Sequence, residues 1–241
     1  PFVGRSDARD EIWSYGHRNI QGMATHPATG EVWTHEHGPR GGDEVNRPAP
    51  GANHGWPVVS YGDHYDGRPI PDDHAGRGFA EPVHFWTPSI APSGMVFYDG
   101  ELFPEWQGDL LVGALAFTHL ARLEIDGASV LSESRLLDDR GQRIRDVTVG
   151  PEGAIYVVTD AGDGQILRIT RSPCAARRAP AGAHSAPRRG PGSAIEGRVR
   201  KSRSVRAFRK ASRSAFSSGS SRKSRRRSLL SGLSGARPPA A

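Results

Sequence analysis

The chain of 241 residues changes character partway along: residues 1–170 hold 13 Arg, no Lys and 25 acidic side chains, a formal charge of −12, whereas residues 171–241 hold 19 basic side chains against Glu196 alone, a formal charge of +18. All five Trp and nine of the ten His lie in the first part, so only that part has the material for a core, and the single Cys174 excludes an intrachain disulfide. No stretch approaches the ~18 consecutive apolar residues of a membrane-spanning helix.

The chain opens at Pro1-Phe2-Val3-Gly4 with neither Met nor a signal-peptide pattern, which reads as the middle of a domain. Ser14-Tyr15-Gly16-His17-Arg18-Asn19-Ile20-Gln21-Gly22 then gathers a cation, two amides and an imidazole just ahead of a strand. Arg and amide donors converge in this way where a planar, oxygen-rich ligand is held; the plainer reading is a loop whose polar groups cap neighbouring turns. Gly22 to His26, Pro27-Ala28-Thr29-Gly30 and Glu31 to His35 read as a hairpin with Pro and Gly setting the turn. It runs into His35-Glu36-His37-Gly38-Pro39-Arg40-Gly41-Gly42-Asp43-Glu44, a polar loop at a strand end, the usual place for a ligand site on a β scaffold. His35 and His37 share a strand face and could ligate zinc, although no third ligand is evident nearby. The Gly38-Pro39 turn with Asp43 and Glu44 suits a hard cation better, because carbonyls and carboxylates are calcium ligands. An acidic hairpin loop without a metal is the plainer alternative.

Phe85-Trp86-Thr87-Pro88-Ser89-Ile90-Ala91-Pro92-Ser93-Gly94 is a Pro-punctuated segment that either walls a planar ligand or simply crosses between sheets. Gly94 to Tyr98 and Asp109 to Leu115 bracket a longer loop, and His119 to Ile125 leads into the Asp126-Gly127 turn. Arg143 and Arg145 fall on one face of a strand, where paired guanidiniums bind carboxylates or pair with Asp138, Asp139 and Asp146. Asp146 to Gly150, Pro151-Glu152-Gly153 and Ala154 to Thr159 repeat the hairpin plan, and no segment has a convincing helical period. Repeated hairpins of this kind point to an all-β fold of stacked four-stranded units, a partial β-propeller of about three blades in residues 1–170; a sandwich competes on strand count. Residues 171–241 are Ser, Arg, Ala, Pro and Gly with almost no aromatic side chains, and are expected to form a disordered basic tail.

Five motifs occur in order: Gly16-His17-Arg18-Asn19 with Gln21-Gly22, Glu36-His37-Gly38-Pro39 with Gly41-Gly42-Asp43-Glu44, Gly51-Ala52-Asn53 with Gly55-Trp56-Pro57, Trp86-Thr87-Pro88-Ser89-Ile90-Ala91-Pro92-Ser93-Gly94, and Arg143-Ile144-Arg145-Asp146-Val147. Together they resemble the soluble quinoprotein aldose dehydrogenases of the glucose/sorbosone dehydrogenase family. The resemblance implies a six-bladed β-propeller binding pyrroloquinoline quinone (PQQ) and calcium (Ca2+) at its axis, oxidising aldose sugars by hydride transfer, passing electrons to an external acceptor, and exported to the periplasm or secreted. It implies Arg18 and Asn19 at the quinone carbonyls, with Gln21, Trp86, Ser89, Arg143 and Arg145 as further cofactor contacts. It also implies Gly38 and Pro39 as backbone calcium ligands, and Glu44 and His54 at a second calcium, His54 standing where many members have Tyr. Two departures stand out. A Lys found near Ala116 in some members is Ala here, and the general-base His of the family's N-terminal half is not in the chain, which on this reading is the second half of such an enzyme and inactive alone. The other functional reading is a non-catalytic propeller fragment that binds a ligand or partner, with a polyanion-binding tail. The family pattern ends near Thr170. The tail beyond it reads either as the product of a shifted frame in a GC-rich gene or as a genuine basic arm, with nucleic acid unlikely as a partner of the rest.

Overall fold

The computed structural model describes residues 1–172 and the two-residue strand Arg200–Lys201. Among these residues there is no α-helix, only three short 3-10 turns and the strands β1 (Ile20–Thr25), β2 (Val32–Glu36), β3 (Arg40–Gly41), β4 (Asp43–Asn46), β5 (Gly62–Asp63), β6 (His84–Trp86), β7 (Pro92–Phe97), β8 (Leu110–Ala114), β9 (Leu120–Asp126), β10 (Ser129–Leu136), β11 (Ile144–Val149), β12 (Ile155–Thr159), β13 (Ile166–Ile169) and β14 (Arg200–Lys201). They form three antiparallel four-stranded sheets, ordered β1-β2-β4-β6, β7-β8-β9-β10 and β11-β12-β13-β14, with a separate β3–β5 ribbon. In each blade the first strand, β1, β7 or β11, is an edge, and β7 packs between the other two.

The packing follows from the two-residue side-chain period of a strand. Leu110, Val112 and Ala114 of β8 join Trp33, Val45, Trp86, Ile90 and Phe97 in a layer between the first and second blades. Leu111, on the opposite face of β8, joins Trp106, Ile144, Ile155 and Leu167 in a layer between the second and third. All five residues of β8 are therefore buried, which explains why Leu110-Leu111-Val112 reads as a continuous apolar run and not as an alternation. A strand buried on both faces has no place in a two-sheet sandwich. The fold is a partial β-propeller of three blades, and the sandwich alternative is excluded. Aromatic edges lock the layers: Trp33 meets Phe97 edge-on at 5.5 Å, and Tyr98 donates its hydroxyl to Gly153 O at 2.7 Å across the second interface.

The hairpins anticipated at β1–β2 and β11–β12 form, as do β7, β8 and β9, and the Asp126-Gly127 turn after β9 leads into β10, a strand not anticipated. Strands β4 and β6 are not visible in the pattern. The sequence of β4, Asp43-Glu44-Val45-Asn46, looks like an acidic loop, yet all four residues are buried. The anticipated disorder of residues 171–241 lies outside the described residues, apart from the pairing of Arg200–Lys201 with β13.

Leu111→Ala should destabilise the chain by about 3 kcal/mol, the usual loss for a fully buried leucine, whereas Leu131→Ala, at a position 60% exposed, should change stability by less than about 0.5 kcal/mol. Urea unfolding followed by tryptophan fluorescence measures both.

Candidate active site

The leading ends of β1, β7 and β11 come together at one end of the blades. His37 Nε2 lies 2.8 Å from Pro92 O, Ser93 Oγ donates to Ile144 O at 2.7 Å, and Asp146 sits so close to Gly94 that a Cβ there would lie 2.0 Å from the carboxylate. The residues just ahead of these strands, Arg18 and Asn19, Ser89 to Ala91, and Arg143, thus belong to one region although far apart in sequence. All four non-glycine residues with positive φ among the described residues, Ala91, Phe117, Thr118 and Leu137, lie in connections at this same end. Strain of about 1–3 kcal/mol per such residue is typical of functional loops.

Arg18 and Asn19 are placed by a carboxylate. Glu36 ends β2 on the face opposite Trp33 and His35, and its Oε2 accepts the backbone N–H of Arg18 and, at 3.0 Å, that of Asn19. Its Oε1 accepts Asn46 Nδ2 at 3.0 Å and lies 3.1 Å from His17 Nδ1. Burial would raise this carboxyl, but the contacts with His17 and the Arg18 amide outweigh it and hold the pKa below the ordinary value. The Arg18 guanidinium donates Nη1 to His37 O at 2.8 Å and Nη2 to Tyr65 Oη at 3.1 Å. It also stands over the Trp56 ring at 5.2 Å. Gln21 Nε2 donates to Asn19 Oδ1 at 2.8 Å, so this pair of amides is coupled at the solvent edge.

The Gly38-Pro39 turn is held by β4 of its own blade and by the connection that leads into the next. Asp43 accepts Gly38 N at 2.9 Å with one carboxylate oxygen and Ala91 N at 2.7 Å with the other. Ser89 Oγ accepts Gly41 N, and Thr87 Oγ1 accepts Gly42 N, each at 3.1 Å. A Cβ on Gly38 would lie 2.1 Å from Gly41 O, so only glycine fits. Among the described residues no hydrogen bond reaches the carbonyl of Gly38 or Pro39. The adjacent acids Asp43 and Glu44 do not act as a pair: on a strand they point to opposite faces, Asp43 to this turn and Glu44 to Asn46.

Glu44 is buried beneath the long connection from β4 to β6. Burial, reinforced by the nearby Glu36 charge, pushes its pKa up to about 8. His74 Nε2 stands 3.8 Å away, and His54 stacks on His17 at 4.2 Å with neither ring nitrogen hydrogen-bonded. Burial lowers the His54 pKa to about 4. Glu36, Gly38, Glu44, His54 and Arg18 line one narrow cleft.

Other expected residues are placed differently. Arg143 Nε and Arg145 Nη2 both donate to Asp160 Oδ2, at 2.9 and 2.8 Å, and not to Asp138, Asp139 or Asp146. Two half-exposed guanidiniums share one carboxylate, which leaves a net positive charge. Trp86 is buried in the interblade core with its indole N–H donated to Glu133 at 2.9 Å, and Ser89 is occupied with the Gly41 amide; the segment crosses between blades and supports the turn. The pairing of His35 with His37 as zinc ligands fails: His35 is enclosed against Gly22, while His37 lies beyond the strand end and turns to Pro92. No group of three or more His, Cys, Asp or Glu among the described residues is arranged to hold a metal ion through side chains. From the sequence Asp43 is expected as a cation ligand beside Glu44, whereas in the fold both its oxygens accept backbone amides; Glu36 and Tyr65 carry no role in that pattern. The signal for Glu36 was its place at i+2 from Thr34 on a strand, which forces a carboxylate into a covered face.

Three blades whose first strands converge at one end bring arginines, amides and carbonyls without partners among the described residues together there as a candidate ligand site. A model of the Glucose / Sorbosone dehydrogenase family matches residues 1–168, and the chain belongs to that family. It is 47% identical over 172 residues to the Aldose sugar dehydrogenase YliI of Escherichia coli (strain K12), covering 70% of this chain and 46% of that protein. A crystal structure of a glucose dehydrogenase superposes with a TM-score of 0.68 at 51% identity, over 71% of this chain and 50% of the other. The PQQ-bound form of Aldose Sugar Dehydrogenase from Streptomyces coelicolor gives 0.52 at 28% identity, over 65% and 44%. The chain spans about half the length of the relatives it matches.

The Glu44 carboxyl gives a pH test. Its folded pKa of about 8 lies above its ordinary 4.5, so the folded chain keeps a proton that the unfolded chain releases. The resulting stability is complete below pH 4.5 and is lost as pH rises to about 8. Glu44→Gln, neutral throughout, should match the unaltered chain in melting temperature near pH 5 and exceed it near pH 8.5, in calorimetry with a chelator present. Parallel curves would show that Glu44 is ionised in the fold.

Proposed function

We propose that this chain carries the cofactor-binding face of a PQQ- and calcium-dependent dehydrogenase that oxidises aldose sugars at the anomeric carbon. The observation that carries this reading is the pairing of the Arg18 guanidinium, fixed on His37 O, with the uncommitted carbonyls of the next two residues, Gly38 and Pro39. One group suits an anionic oxygen and the other a hard cation. Bound PQQ with calcium supplies a polarised hydride acceptor.

Each residue then has a task. The carbonyls of Gly38 and Pro39 hold calcium, and Asp43 keeps their turn in place from two sides. Arg18 meets negative charge developing on oxygen, where a fixed cation lowers the barrier more than mobile water does, and Asn19 and Gln21 add neutral donors. Arg143 and Arg145, with one carboxylate between them, attract carboxylate groups bidentately. With Ala116 in the β8–β9 connection, these two arginines bear that task without a lysine. At the second calcium position Glu44 would supply a carboxylate only after losing its proton, and His54, a nitrogen donor in place of an oxygen, does not suit a hard cation. Ser89 contributes by supporting Gly41. The proton of the sugar's anomeric hydroxyl goes to a base outside residues 1–172. His17 is held between Ser14 and Glu36, His35 is enclosed, and His37 is engaged with Pro92. By the family resemblance, which places the general-base His in an N-terminal half, the chain alone would bind cofactor without turnover. An external electron acceptor and a periplasmic or secreted location are part of the same proposal. No helix among the described residues is long and apolar enough to cross a membrane.

Calorimetric titration of PQQ into the folded chain tests this. Binding should require calcium and weaken at least about tenfold in Arg143→Ala, the loss of a charge-assisted bidentate contact. A folded sample that takes up no PQQ at any calcium concentration would overturn the reading.

A further inference from the structure

We infer that Tyr65, in the turn that follows β5 of the β3–β5 ribbon, is the positioning residue for Arg18. The inference rests on the reading of Arg18 as a ligand-binding cation. An arginine side chain carries about 2 kcal/mol of rotamer entropy, so its guanidinium is useful only where its surroundings hold it. Two of the contacts that hold Arg18 come from the scaffold around blade 1: His37 O, whose residue donates its own N–H to Asn19 O at 3.0 Å, and Trp56, whose N–H is donated to Gly16 O at 2.9 Å. The remaining side is closed by Tyr65, whose hydroxyl accepts Nη2 at 3.1 Å and whose ring centroid is 6.0 Å from Cζ. Arg18 thus sits between two aromatic rings.

Tyr65 is well placed to set this geometry. It occupies a tight turn closed by Gly67 N donating to His64 O at 2.9 Å, and the flanking His64 N donates to Arg68 O at 2.9 Å. That turn is the tip of β5, and β5 pairs with β3 in the register Arg40 to Asp63 and Gly41 to Gly62. The two strands approach so closely that a Cβ on Gly62 would lie 2.2 Å from Gly41 O. Strand β3 directly follows Gly38-Pro39. The ribbon therefore fixes the guanidinium and the two free carbonyls to one small rigid unit, so their separation is set before any ligand arrives.

Tyr65 is 75% exposed, so its fold contribution is small and its effect belongs in Arg18 order and ligand affinity. In the chain labelled with 15N-arginine, the Arg18 side-chain signal, assigned with Arg18→Lys, should show slowed Nε–H exchange that is lost in Tyr65→Phe and Tyr65→Leu with no change in melting temperature. PQQ affinity in calcium should fall about three- to tenfold in Tyr65→Phe, which removes only the hydroxyl, and further in Tyr65→Leu. An Arg18 signal unaltered in Tyr65→Phe overturns the inference whatever PQQ does. An altered signal with unaltered PQQ affinity also overturns it. If the unaltered chain binds no PQQ, the reading of the site fails, while the Arg18 signal still decides whether Tyr65 holds it.

Discussion

One buried carboxylate organises this end of the molecule. Glu36 has left water at a cost that only close hydrogen bonding offsets, and it receives the amides of Arg18 and Asn19, the Asn46 side chain and His17. The loop from Ser14 to Asn19 therefore has one place to lie, because any other leaves that charge unpaired. Asp43, on the other face of the same sheet, does the equivalent for the Gly38-Pro39 turn and ties it to the second blade through Ala91. The two acids divide the labour: one fixes the segment bearing the cation, the other the segment bearing the free carbonyls.

The hairpins could be read from the chain because their information is local. Alternating apolar residues, then Pro or Gly, then alternation again encode β1–β2 and β11–β12 within some fifteen residues. The arginines and the Gly38-Pro39 turn were legible as chemistry, being unusual combinations at strand ends. What escaped reading depended on partners distant in sequence. Strand β4 is polar because the connection that covers it supplies His54 and His74, over Glu44, from many residues away. Trp86 resembles a ligand wall in a Pro-rich segment, yet its fate is decided by Glu133 on the next blade. The neighbours Asp43 and Glu44 invite treatment as a pair, and only their placement on a strand separates them. The acceptor for Arg143 and Arg145 is Asp160, seventeen and fifteen residues on, and three nearer aspartates offered equally good candidates on the page.

Electrostatically, residues 1–170 are an acidic body that places arginine sparingly. Several of its arginines are engaged by single acids, as Arg122 is by Asp109 and Arg168 by Glu152. The leading ends of the first strands break that rule. Among the described residues Arg18 has only neutral acceptors at its nitrogens, and Arg143 with Arg145 outnumbers Asp160. These guanidiniums stand at one end of the blades, where the carbonyls of Gly38 and Pro39 supply the complementary pole.

The division of labour between blades also sets an order of assembly. The second blade is an up-and-down meander of sequence neighbours, and β1–β2, β2–β4, β11–β12 and β12–β13 also close over short range, so these pairs are of the kind that form quickly, whereas β4–β6 must span a long connection. The ligand-facing groups are supplied by connections ahead of three different blades, and Ser93, Asp43 and His37 register them only when the sheets dock. A chain with its first two blades joined and its third undocked would keep Arg18 and lack the paired arginines. Completion of the site is thus a record that the whole stack has closed, and any ligand spanning it would act as a clasp on docking, leaving the stability of each separate blade unchanged.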